Sequence, residues 1–170
     1  MSTETEIQQL YFEDLSIGDC WLSEWREITG DDVADFAQLT GDHDPLHTDQ
    51  GAESPFGQPI AHGLLGLGVL AGLSTNYPKA ATLAFVGISD WKFEAPIFFG
   101  DRVQVKTEVV EIEKHGRRAC RVVWLRKLLN QDNRVVQQGR FISLVASKAR
   151  ARRTDQQPVT QGSSSSLPAR

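Results

Sequence analysis

Between Gly41 and Asp49 the chain reads Gly-Asp-His-Asp-Pro-Leu-His-Thr-Asp, so that three carboxylates and two imidazoles fall within one short polar stretch. Near neutrality an aspartate is ionised and a histidine is close to half-titrated, so Asp42 and His47 can hold the base and acid states needed to move a proton. The chemistry this pairing suits is general acid–base work on a bound water or an acidic C–H group. Two plainer uses of the same residues exist. An Asp-rich turn after a helix often only satisfies backbone N–H groups, and His43 and His47 beside carboxylates could hold a metal. Pro45 argues against the metal, because it prevents the helical His-x-x-x-His face that such a pair would need.

The elements that must position this stretch can be read on either side of it. Thr29 followed three residues later by Asp32 resembles a capping box, and Val33, Phe36, Ala37 and Thr40 then share one helical face. A helix is expected over 30–40, ended by Gly41 as a C′ residue. A first strand is expected over Cys20–Ile28. Downstream, Ile60–Ser74 is apolar on every side and carries Gly63, Gly66, Gly68 and Gly72. Such a segment reads as a central helix buried all round, its glycines compensated by close approach of neighbouring chain. At 11 residues, the uncharged apolar run from Gly63 to Leu73 falls well short of the roughly 20 needed to cross a bilayer.

Alternating β-formers follow at Thr82–Ile88, Val103–Val109, Cys120–Trp124 and Phe141–Val145, with Lys114-His115-Gly116 and Gln131-Asp132-Asn133 as hairpin turns between the last three. The order β-α-α-β-β-β-β implies an α+β domain with an antiparallel sheet and its helices on one face. The 170 residues suit one domain, and a net charge of -4 provides no general attraction to nucleic acid or anionic lipid. Cys20 and Cys120 lack metal-ligand spacing and the N-terminus has no signal-peptide pattern, so a cytoplasmic location is expected. From Lys148 onward, Arg150, Arg152 and Arg153 lead into a Gln-, Pro- and Ser-rich segment, which reads as a flexible tail over 148–170 after a domain over 1–147.

Several motifs together resemble one family. Thr40-Gly41-Asp42-His43-Asp44-Pro45-Leu46-His47-Thr48-Asp49 and Gly57-Gln58-Pro59-Ile60-Ala61-His62-Gly63-Leu64-Leu65 are similar to the hydratase motif of MaoC-like dehydratases, which include (R)-specific enoyl-CoA hydratases. The opening segment Tyr11–Asp19 and the stretch Lys92–Asp101 resemble other parts of the same family. The resemblance implies a hot-dog fold, a curved antiparallel sheet wrapped around a long central helix. It also implies reversible addition of water to a trans-2-enoyl thioester to give the (R)-3-hydroxyacyl thioester.

In family terms Asp42 and His47 hold the water, and the backbone N–H of Gly63 polarises the thioester carbonyl. No metal or redox cofactor is implied, and coenzyme A enters as part of the substrate. A homodimer or larger homo-oligomer is expected, with neither nucleic acid nor membrane as partner. One position departs from the commonest pattern: many members carry Asn where this chain has Asp44, which could orient a ring N–H of His43 or His47 or act on Asp42 by like-charge repulsion. Two other readings stay open, a hot-dog acyl-CoA thioesterase and a non-catalytic acyl-thioester binding module. His62 is expected to cap or hydrogen-bond locally, Tyr77, Trp91 and Phe93 to serve as core or acyl-pocket lining, and Lys114, Arg117, Arg118 and Arg121 to form a solvated hairpin tip or a phosphate grip.

Overall fold

The computed structural model describes residues 8–48 and 55–149. Two short strands, β1 (Cys20–Leu22) and β2 (Arg26–Glu27), precede helix α1 (Gly30–Thr40). Helix α2 (Gly63–Leu73) and four long strands follow: β3 (Thr82–Phe93), β4 (Arg102–His115), β5 (Ala119–Asn130) and β6 (Val135–Ala146). The strands form one antiparallel sheet in the order β1-β4-β5-β6-β3, with β2 also on β4. This is the α+β architecture expected from the sequence.

The core lies where α2 crosses the inner face of β4 and β5. Cross-strand rows build that face. Val109, Trp124 and Phe141 make one row, Thr107, Arg126 and Gly139 the next, and Val105, Leu128 and Gln137 the third. Gly66, Val69 and Leu70 of α2 are buried against them. A Cβ on Gly66 would lie 2.3 Å from Gln137 Nε2, and one on Gly139 would lie 2.5 Å from the Trp91 ring, so both glycines are fixed by close packing. Arg126 is an unusual member of this inner face. Burial lowers its guanidinium pKa to about 10, which still leaves it protonated at neutral pH.

Two expectations need correction. The strand expected over Cys20–Ile28 is broken in two: Leu22 pairs with Lys106 but Arg26 with Val103, so one strand carries an extra residue relative to the other. Buried Ser23 occupies the break, its N–H donating to the Val105 carbonyl and its hydroxyl accepting from the Val105 N–H. Nor is α2 buried on all sides, for Leu64 is 61% exposed. The sheet covers only one side of the helix, and a Cβ on Gly68 or Gly72 would meet nothing within 4 Å.

Lys148 is held at the N-terminal 3₁₀ turn Phe12–Asp14, its N–H donating to Glu13 and its ammonium pairing with Asp14. The rest of the expected tail, 150–170, lies outside the described residues, as does Asp49 of the acidic stretch. Among the described residues no helix is long and apolar enough to cross a membrane.

Candidate active site

Helix α1 delivers the acidic stretch. Gly41 adopts the left-handed conformation at φ +78° and closes the helix with its N–H on the Ala37 carbonyl. The Thr40 hydroxyl donates to Phe36 O and accepts from the Asp42 N–H, which holds Asp42 just beyond the helix end with its side chain exposed. A 3₁₀ turn over Pro45–His47 then brings His47 back toward the entrance of α2. There the Ile60 N–H donates to Leu46 O, and His47 Nδ1 lies 2.7 Å from Ile60 O. A carbonyl only accepts, so this contact requires the proton on Nδ1 and leaves the Nε2 lone pair of neutral His47 free to accept a proton.

Asp44 does not bond either imidazole. Its carboxylate accepts from the Leu46 N–H at 2.9 Å and caps the 3₁₀ turn, while its own N–H points to Asp42 Oδ1 at 3.3 Å. An asparagine side-chain oxygen could make the same cap, so Asp in place of the usual Asn preserves the local turn.

His62 does not play the local capping role expected of it. It occupies the N-cap position of α2 but makes no side-chain capping bond. Instead it is 2% exposed and stacks on His47, with ring centroids 3.7 Å apart and planes 30° from parallel. Its Nε2 lies 3.0 Å from the Asp42 carbonyl, so it donates there, and its buried Nδ1 has no partner. Asp42, His47 and His62 each offer an atom within 4.8 Å of the others. His43 is not part of this group. Two of the four ring nitrogens are already engaged with carbonyls, which leaves His47 Nε2, His62 Nδ1 and the Asp42 carboxylate as the atoms a ligand could meet.

These residues line a cavity of about 430 Å³ together with Gly63, Leu64, Phe36, Thr40 and Phe93. A neighbouring hollow of about 370 Å³ shares His47, Gly63 and Phe93 and extends past Ala95 and Pro96. Gly63 is the first residue of α2, so its N–H has no intrahelical partner and sits at the positive end of the helix dipole. A Cβ there would approach the Phe93 ring to 2.8 Å. Glycine therefore lets the Phe93 ring pack directly against the start of α2. Phe93 and Trp91 owe their placement to an irregularity in β3 around Asp90, whose φ is +54°. Tyr77 lies elsewhere, its hydroxyl donating to Glu24. The basic hairpin turns at the far end of the sheet. From Ala119 to Leu128, whose partner Gln137 bonds Gly63 O, is nine strand residues, roughly 30 Å, and Arg121 is paired there with Glu111 and Glu113.

Comparison with known proteins decides the family. Residues 17–133 match the MaoC-like domain. The chain belongs to the MaoC-like dehydratase family. Over 118 residues it is 42% identical to the 3-hydroxybutyryl-CoA dehydratase of Methylorubrum extorquens, an alignment covering 67% of this chain and 73% of that one. It is 37% identical over 99 residues to the 3-hydroxyacyl-thioester dehydratase Z of Mycobacterium tuberculosis, covering 55% of this chain and 66% of the relative. Among solved structures, the (R)-hydratase of A. caviae involved in PHA biosynthesis superposes with a TM-score of 0.67 at 25% identity, covering 77% of this chain and 97% of that one. A Mycobacterium tuberculosis protein described as a double hot-dog superposes at 0.72 over 82% of this chain and 45% of its own, and at 21% identity it speaks to the fold alone. The expected hot-dog fold and MaoC-like resemblance are thereby borne out.

Proposed function

We propose that the protein is a hydro-lyase that adds water reversibly to a trans-2-enoyl-CoA, or a related acyl thioester, to give the (R)-3-hydroxyacyl thioester. Hydratase and dehydratase names run through its relatives, and the observation that carries the finer reading is the convergence of Asp42, His47 and the N-terminus of α2 on one cavity. A water held between the Asp42 carboxylate and His47 Nε2 donates an O–H to each. Its oxygen attacks C3 of the enoyl group as His47 Nε2 takes up one of its protons, and His47 then delivers that proton to C2, so that H and OH add across the double bond. Negative charge develops on the thioester oxygen, which the Gly63 N–H and the helix dipole stabilise. A preorganised donor of this kind contributes roughly 3 to 4 kcal/mol to barrier lowering. In this reading coenzyme A is part of the substrate, and the working form is a homodimer.

The test is hydration of crotonyl-CoA, followed by loss of enone absorbance with the 3-hydroxybutyryl product resolved by stereochemistry. The wild-type protein is expected to give the (R)-product, and Asp42→Asn and His47→Ala each to lower kcat/KM by roughly 10²- to 10⁴-fold. Release of free thiol with the enone intact would instead make the protein a thioesterase.

A further inference from the structure

A second cavity, of about 570 Å³, lies further along the same helix and strands. Leu64, Gly68 and Ala71 fall at i, i+4 and i+7 on one face of α2; the first lines the catalytic cavity and the other two line this one. On the sheet, Phe93 and Gln137 belong to the hollows beside Gly63, whereas Ile88 and Phe141, on the same two strands, belong to the second cavity. Most of its wall is apolar. Its hydroxyls are largely engaged: Ser74 donates to Leu70 O, Thr75 to Ala71 O, and Ser143 accepts from Trp124 Nε1.

Arg126 alone among the residues lining this cavity is charged. Its guanidinium carbon lies 4.6 Å above the Phe141 ring, its Nε is buried without a partner, and no carboxylate among the described residues lies within ion-pair distance. The Thr107 hydroxyl, in the same cross-strand row, is also buried and unpartnered. A half-buried cation whose Nε is shielded from water and has no counter-charge leaves room for an anionic partner, and a guanidinium fork matches a carboxylate in charge and geometry.

We propose that this cavity receives the far end of the acyl group, and that Arg126 selects thioesters whose acyl group ends in a carboxylate, the half-thioesters of short unsaturated dicarboxylic acids. The proposal rests on the hydratase reading above for the thioester, and on Arg126 for the acid. The spacing suits a short chain. Gln137 bonds Gly63 O at the first turn of α2, and Arg126 stands two residues along β5 from Leu128, the partner of Gln137, a separation of roughly 7 Å.

The experiment compares kcat/KM for hydration of trans-2-hexenedioyl-CoA and trans-2-hexenoyl-CoA, in the wild type and in Arg126→Leu and Arg126→Lys, with thermal melting to verify folding. Calorimetric binding of the unreactive adipoyl-CoA and hexanoyl-CoA runs beside it. The wild type is expected to favour the diacid substrate at least ten-fold. Arg126→Leu should lower that ratio by roughly 10- to 100-fold, and Arg126→Lys, which keeps the charge but loses the fork, should fall between. A wild-type ratio at or below one, or a ratio unchanged in a folded Arg126→Leu, would overturn the assignment; should the leucine variant not fold, a lysine variant with the wild-type ratio overturns it equally. If neither enone is hydrated while adipoyl-CoA outbinds hexanoyl-CoA in an Arg126-dependent way, the hydratase reading fails and the Arg126 assignment stands.

Discussion

At the scale of single residues, the arrangement depends on which nitrogen carries each proton. His47 is tied through Nδ1–H to Ile60 O and His62 through Nε2–H to Asp42 O, so two backbone carbonyls set both tautomers. His62 touches Asp42 and His47 without being assigned to the water, which makes it a positioning residue. His62→Phe keeps a ring beneath His47 but removes the donor to Asp42 O. It is expected to lower kcat about ten-fold with KM little changed, in line with losing one oriented hydrogen bond. His62→Gln can present an N–H near the position of Nε2 and should recover part of the loss. Equal loss of kcat in both variants, with melting temperatures lowered in parallel, would reduce His62 to a packing residue. Asp42, His47 and Gly63 were legible in the sequence because they lie in two short motifs of recognisable spacing. The stacking of His62 on His47 was not. It joins residues 15 positions apart through the return of the chain at Ile60, which no local pattern encodes. Of the two roles open to Asp44, the ring contact is absent for a related reason, since its carboxylate takes the N–H of the turn it starts, while its own N–H points to Asp42.

At the scale of elements, α1 is the segment whose ends the sequence specifies best. Thr29 and Asp32 make the reciprocal capping box expected of them, and Asp32 also receives Arg26. Partial burial pushes the Asp32 carboxyl upward, but the Thr29 amide, the Thr29 hydroxyl and Arg26 together outweigh it and hold the pKa below the ordinary value. A depressed carboxylate pKa contributes stability that is present above the unfolded value and is lost as pH falls through the folded one. Asp32→Asn is therefore expected to cost about 1 kcal/mol at neutral pH, the usual size of a cap. The difference from wild type should narrow in urea titrations taken below about pH 4. A gap that stays constant down to pH 2 would assign the loss to geometry alone. The strand before α1 was less legible. Alternation through Cys20–Ile28 suggests one strand, and the break at Ser23 is made by bonds to Val105, 82 residues away. All-round apolarity of α2 does not translate into all-round burial, because the sheet covers one side of the helix and leaves Leu64 exposed.

At the scale of the whole molecule, the sheet ends on β3, which pairs only with β6 in the described sheet and leaves its outer edge open over 12 residues. Leu83, Phe85, Val86 and Ile88 are exposed along it. A long edge strand with apolar side chains is an aggregation hazard unless another strand covers it, and a two-fold partner can do so with the same strand. Exposed Leu64 on α2 has the same need. The occupant expected is a second copy of this chain, and the wild-type protein should elute as a dimer in light scattering at micromolar concentration. Val86→Lys places a charge on the open edge without touching the residues around Asp42, and it should shift the population toward monomer by at least ten-fold in dissociation constant. If the monomer also loses hydratase activity while its circular dichroism is unchanged, the second copy supports the catalytic cavity as well as the edge. If it remains fully active, each protomer carries a complete site. A wild-type protein that is monomeric at high concentration would overturn the expectation that a second copy covers this edge.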